Sequence, residues 1–152
     1  AGRIFEEMDG GEKEVKYELT NETKLLNLTM RKVVLHRIRA AKSFPDVRKS
    51  TLGGWIEKES NLSQNGNSWI ADNAMVFGDA VVCDDAIVRE NAVVYDDATV
   101  KEDASVRGNA VVSGNSIIEG RAHISGDAWI CGCSVISGDT EITEGTIKGK
   151  KE

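Results

Sequence analysis

From residue 70 to residue 142 every sixth position is Val or Ile. The run is Ile70, Val76, Val82, Val88, Val94, Val100, Val106, Val112, Ile118, Ile124, Ile130, Ile136 and Ile142. Two residues before each stands Ser, Ala or Thr, from Ser68 and Ala74 through Ser134 and Thr140. A self-similar period of this kind dictates architecture before local propensity is consulted. It also excludes an amphipathic α-helix, whose apolar residues recur about every 3.6 positions.

Each hexad reads as a short strand and a corner. Alternate residues of extended backbone share a face, so the small residue and the aliphatic point inward together. The closing pair is mostly Gly, Asp, Asn or Glu, as in Gly78-Asp79, Asp84-Asp85, Glu90-Asn91 and Gly114-Asn115. Such residues tolerate positive φ or bond their own backbone, as tight corners require. Three hexads close a triangular coil of 18 residues, and stacked coils pair as parallel strands about 4.8 Å apart. Gly54-Trp55-Ile56 and Ser60-Asn61-Leu62 extend the repeat upstream, with extra residues near Asn65-Gly66-Asn67, for about five coils.

The expected fold class is therefore all-β. Residues 1–14 read as a flexible segment that frays or packs on a neighbour, 15–53 as a small N-terminal β cap, and 54–152 as a parallel β-helix. Tyr17–Leu19 and Val33–Arg39 are the cap's expected strands, and Pro45-Asp46 marks a turn. A cap is needed because an open coil presents an unpaired strand edge.

Charge is divided along the chain. Residues 1–56 carry +3 and the remainder −9, for −6 overall. That balance argues against a general nucleic-acid binder. No apolar run approaches the ~20 residues that span a membrane, and no signal-peptide core stands at the start. Cys83, Cys131 and Cys133 are an odd set without a secretory signal and read as reduced thiols in cytoplasm. No second pair completes a metal site with Cys131 and Cys133, so no metal is expected.

Outward residues sort onto three faces. Face A carries Met75, Phe77, Val93, Tyr95, Val111 and Trp129, then Ile147. This is an apolar strip of a kind that soluble monomers seldom expose. Self-association would bury it, and so would the N-terminal segment; the first is the preferred expectation. Face C carries His123 one coil above Glu141, with Arg89 and Arg107 in the adjoining column. A carboxylate that orients an imidazole raises its basicity, as a general base requires. Arg37 and Arg39 belong to a basic cluster in the cap, a candidate anion site.

The stretch Arg37-Ile38-Arg39-Ala40, Phe44, Asp46-Val47, and then Leu52 to Trp69, together with the hexads, resembles the YdcK-type hexapeptide-repeat proteins of bacteria and phages. These are described as acyltransferase-type or polymer-forming. The resemblance covers roughly residues 15 to 146. It implies a left-handed coil, where the general crossover rule alone would say right-handed. It also implies a homotrimer. In the family's enzymes a His at the subunit boundary deprotonates the acceptor while acyl-coenzyme A lies between subunits, beside a long extruded loop. Residues 68–146 contain no such insertion.

The expected function is thus a homotrimeric scaffold or binding module without a cofactor, with room in a phage setting for sequestering a host component. The alternative is a transferase using acetyl-coenzyme A, with His123 as base, Glu141 orienting it, and Arg89 and Arg107 holding an anionic donor.

Overall fold

The structure is a computed structural model that describes residues 15–149, so the expected behaviour of residues 1–14 lies outside the described part. The hexads form two-residue strands that stack in three parallel columns. Face A runs Met75–Val76, Val93–Val94, Val111–Val112 and Trp129–Gly132; face B runs Val81–Val82, Thr99–Val100, Ile117–Ile118 and Val135–Ile136. Face C runs Trp69–Ile70, Ile87–Val88, Ser105–Val106, His123–Ile124 and Glu141–Ile142. The result is an all-β parallel solenoid of about five turns, as the six-residue period requires. Inside, each of the repeat aliphatics from Ile70 to Ile130 is fully buried, and so are Ala74, Ala80, Ala86, Ala92 and Ala98. A narrow triangular shaft leaves space for one branched side chain per rung and a methyl beside it.

The corners obey a stricter rule than composition implies. Every sixth residue from 72 to 138 has φ between 58° and 72°. Seven of these are glycine and five are acidic: Asp72, Asp84, Glu90, Asp96 and Glu102. A non-glycine residue in this region costs on the order of 1–2 kcal/mol. Each acidic corner recovers part of that through its carboxylate, which accepts the backbone N–H of the corner one coil further on. Asp72 accepts from Glu90 (3.1 Å), Glu90 from Gly108 (2.8 Å), Asp96 from Gly114 (3.0 Å) and Glu102 from Gly120 (2.8 Å). Where coils approach too closely for a side chain, glycine stands instead. A Cβ on Gly114 would lie 2.5 Å from the Gly132 carbonyl oxygen.

The first strand of the cap runs much longer than the expected Tyr17–Leu19. Strand β1 (Tyr17–Asn27) pairs antiparallel with β2 (Lys32–Ala40), which pairs antiparallel with β3 (Leu52–Ile56). β3 then joins the face A column in parallel with Met75–Val76. At the expected Ser60-Asn61-Leu62 rung a short 3₁₀ turn, Glu59–Asn61, replaces the strand. Asn61 is fully buried there while Ser60 is exposed. The Asn61 amide donates to the carbonyls of Ala80 (2.8 Å) and Gly78 (3.1 Å), and its oxygen accepts from Lys58 and Glu57 N–H. A side-chain carboxamide thus satisfies backbone groups that a missing strand would leave unpaired.

The far end carries a second departure. After the first coil, where Trp55 pairs with Met75 twenty residues on, stacked strands repeat every 18 residues until Trp129, which pairs with Thr146. One residue is missing from that coil, so Ile147 lies beneath inward Ile130, not on the outer face A where the strict period put it. Regular spacing would have set Lys148 beneath Ile130, at the end of the shaft, where Ile147 stands instead and is 37% exposed.

Lys16 and Tyr17 plug the N-terminal mouth. The Tyr17 hydroxyl lies 2.6 Å from the Leu62 carbonyl oxygen, and Lys16 Nζ donates to the Ser68 carbonyl (2.8 Å) and hydroxyl (3.2 Å). Burial, with Lys42 adding repulsion, lowers the Lys16 pKa from 10.5 to about 8, although Asp85 opposes this. Burial and Glu59 push the Tyr17 phenol in the other direction, well above its usual range. Below pH 8 Lys16 is protonated folded and unfolded alike. Above pH 8 the folded chain releases its proton first, so the unfolded state holds more protons and stability rises with pH. Tyr17 reverses the trend only above its ordinary pKa near 10. Chemical denaturation should show the wild type gaining on the order of 1–2 kcal/mol between about pH 8 and 10, whereas Lys16→Met should be flat over the same interval.

Candidate functional site on the third face

Face C presents the titratable column singled out in the sequence. His123 and Glu141 are direct parallel partners, and both side chains are exposed. Among the described residues no hydrogen bond or ion pair links them. Above them come Ser105 and Ile87, register partners in the same column. Arg107 and Arg89 occupy the neighbouring outward positions, exposed and without side-chain partners among the described residues. No group of described His, Cys, Asp or Glu residues is arranged to hold a metal ion.

At the top of this face a groove of about 330 Å³ opens between the Pro45–Val47 turn and the strands, floored by Trp69, Ala71 and Ile87 and edged by Arg89 and Ser105. Trp69 takes the outward register position of the face C column, paired with Ile87. Phe44 packs edge-on against its ring at 5.4 Å, which leaves Trp69 almost fully buried. A phenylalanine that closes over a tryptophan from 25 positions away in the chain leaves no periodic trace; the only signal was Phe44 beside the Pro45-Asp46 turn.

Arg37 and Arg39 are already engaged. Arg37 donates to the Gly53 carbonyl (3.0 Å), lies 3.8 Å from Glu22 and covers the Trp55 ring. Arg39 pairs with Glu18 at 3.1 Å. Both arginines lie on the cap strand Lys32–Ala40, whereas Arg89 and Arg107 follow strands of the face C column. Arg31, at the hairpin tip, makes a two-pronged contact with Glu57 (2.9 and 3.2 Å). Its hydrogen bond holds the Glu57 carboxyl below the usual carboxylate range. Glu57 also accepts the Gly78 N–H, which latches the hairpin to the first corners.

That latch changes the reading of face A. The hairpin folds across its upper coils, burying Phe77 (5% exposed) with Val33, Leu35 and Trp55. Tyr95 stacks on Phe77 at 5.3 Å, while Met75 and Val93 pack half-buried around them. The expected exposed strip is therefore largely an internal contact. Only its lower part is open, with Val111 half-buried and Trp129 46% exposed. Phe77→Ala should lower unfolding stability by roughly 3–5 kcal/mol, and Trp129→Ala by less than about 1 kcal/mol. Denaturant melts of the two variants at one protein concentration check this.

Stacked six-residue rungs make the chain a hexapeptide-repeat β-solenoid. Among protein-family models, none matches it. It is similar to the uncharacterized acetyltransferase YdcK of Escherichia coli (strain K12), at 43% identity over 68 residues. The matched part is 41% of this chain, and it spans only about a fifth of the relative, 21%. Likeness and fold together fit a protein of the hexapeptide-repeat β-helix kind. No helix among the described residues is long and apolar enough to cross a membrane.

Proposed function

We propose that this chain is a non-catalytic binding module that self-associates as a homotrimer and works in the cytoplasm. The observation that supports it best is the setting of His123 and Glu141. Both side chains are solvated, and the coils around them run without any insertion that would wall off a reaction. A general base needs a partner within hydrogen-bond reach and a site from which water is excluded. Face A below the hairpin supplies the self-association surface, centred on Val111 and Trp129. A closed cyclic arrangement would bury that patch in every copy. The free Cys83, Cys131 and Cys133 suit a reducing compartment.

Light scattering should report three copies per particle for the wild type. Val111→Lys combined with Trp129→Lys should give a folded monomer, with circular dichroism unchanged. A monomeric wild type would refute the assembly.

A transferase reading is favoured by the name of the similar protein and by the His123–Glu141 register. In that reading His123 takes the acceptor's proton and Arg107 steadies an anionic donor such as acetyl-coenzyme A. On the binding-module reading, calorimetry with acetyl-coenzyme A gives no saturable heat. Micromolar binding that His123→Ala or Arg107→Ala weakens would reverse the choice.

A further inference from the structure

The groove at the top of face C lies within one protomer and owes nothing to self-association. Its floor is apolar, from Trp69, Ala71 and Ile87. Two opposite charges line it: the Arg89 guanidinium on the strand side and the Asp46 carboxylate on the turn. Neither side chain has a hydrogen-bond or ion-pair partner among the described residues, and the two do not pair with each other. In the cap Arg31, Arg37 and Arg39 are matched to Glu57, Glu22 and Glu18, whereas Arg48, like Arg89 and Arg107, has no such partner among the described residues.

The turn that carries Asp46 is held firmly. Phe44 and Val47 exchange two backbone hydrogen bonds, 2.9 and 2.8 Å, across a two-residue Pro45-Asp46 loop. Proline at the first loop position and φ of 68° at Asp46 describe a type II turn, whose second loop position ordinarily belongs to Gly or Asn. The Phe44–Trp69 contact then fixes the turn to the sheet. An aspartate stands where glycine would relieve strain, and it lines the same concavity as the unmatched Arg89. The volume, about 330 Å³, is at the lower end of small-molecule sites, which run from ~300 to ~1,000 Å³.

We infer that this groove binds a small zwitterion of the α-amino acid class with an apolar side chain. Arg89 takes the carboxylate, Asp46 takes the ammonium group, and the side chain lies on Ile87 and Trp69. Ser105, at the lower edge, offers a hydroxyl to the carboxylate. Both charges of such a ligand are matched, so neither protein charge is desolvated unpaired. This inference names the ligand of the binding module proposed above and rests on that reading.

The test is a titration of the whole chain by calorimetry and by amide NMR. The probes are L-phenylalanine, 3-phenylpropionate (no amine) and phenethylamine (no carboxylate). L-Phenylalanine should saturate in the micromolar to low-millimolar range and shift the Ile87 and Ser105 amides. Each single-charge analogue should bind about tenfold more weakly or worse, a loss of one charge contact. Arg89→Gln and Asp46→Asn should each weaken L-phenylalanine similarly; Asn suits the left-handed turn position, so that variant keeps its fold. Equal binding of 3-phenylpropionate, indifference to both substitutions, or no saturable signal up to about 20 mM would overturn the inference. Acetylation of the added amino acid when acetyl-coenzyme A is supplied would instead overturn the non-catalytic reading while leaving the groove assignment standing.

Discussion

The close approach of one coil to the next, repeated at each corner, is the constraint on which the rest depends. Parallel strands must sit about 4.8 Å apart to share hydrogen bonds. A chain that turns three times per coil can meet that spacing only if each corner takes the same backbone shape. Hence the left-handed φ at every sixth residue, whatever its side chain. The inward ladder of Val and Ile follows from the corners, because they fix which residues of each rung point into the shaft. So does the acidic composition of the upper coils. Carboxylates there are hydrogen-bond acceptors for the amides of the following coil, and their negative charge needs no ligand to account for it.

How far the sequence could be read depends on whether a feature recurs. The core from Ile70 to Ile136, the corner glycines and the parallel pairing were all legible, since each repeats and each obeys steric rules that act within a few residues. The hairpin β1–β2 was only partly legible. Its strands could be placed, but not their length or their fold across Phe77. That contact joins Leu35 to residues some forty positions later, and no local pattern marks it. Asn61 and Ile147 are different cases. Both break the period, and both left a signal: an amide residue inside a rung, and a lysine at the next inward position.

On the candidate site, the His123–Glu141 register was legible because it follows from coil arithmetic. The openness around it was legible too, since no insertion interrupts the hexads. What could not be read was the groove above. Its wall comes from the cap and its floor from the solenoid, and only three-dimensional closure brings Asp46 and Arg89 to one concavity. The expected apolar strip fell between these cases. The residues are where arithmetic put them, yet most of them serve the protomer's own interior.

The carboxylate-to-amide ladder also bears on how such a chain can change its length. Every bond in it joins an acidic corner at residue i to the corner at i+18, and the backbone pairing between coils keeps the same offset. A coil is therefore interchangeable with its neighbour. Duplication or loss of one whole coil in the middle would reconnect each ladder, keep the three faces in line and leave both ends untouched. Gain or loss of a single residue there would rotate every later side chain between shaft and surface. A change of length that keeps the faces in line therefore comes in whole coils, and the one shortened coil among the described residues stands beside the last described strand, where the fewest rungs remain to be displaced.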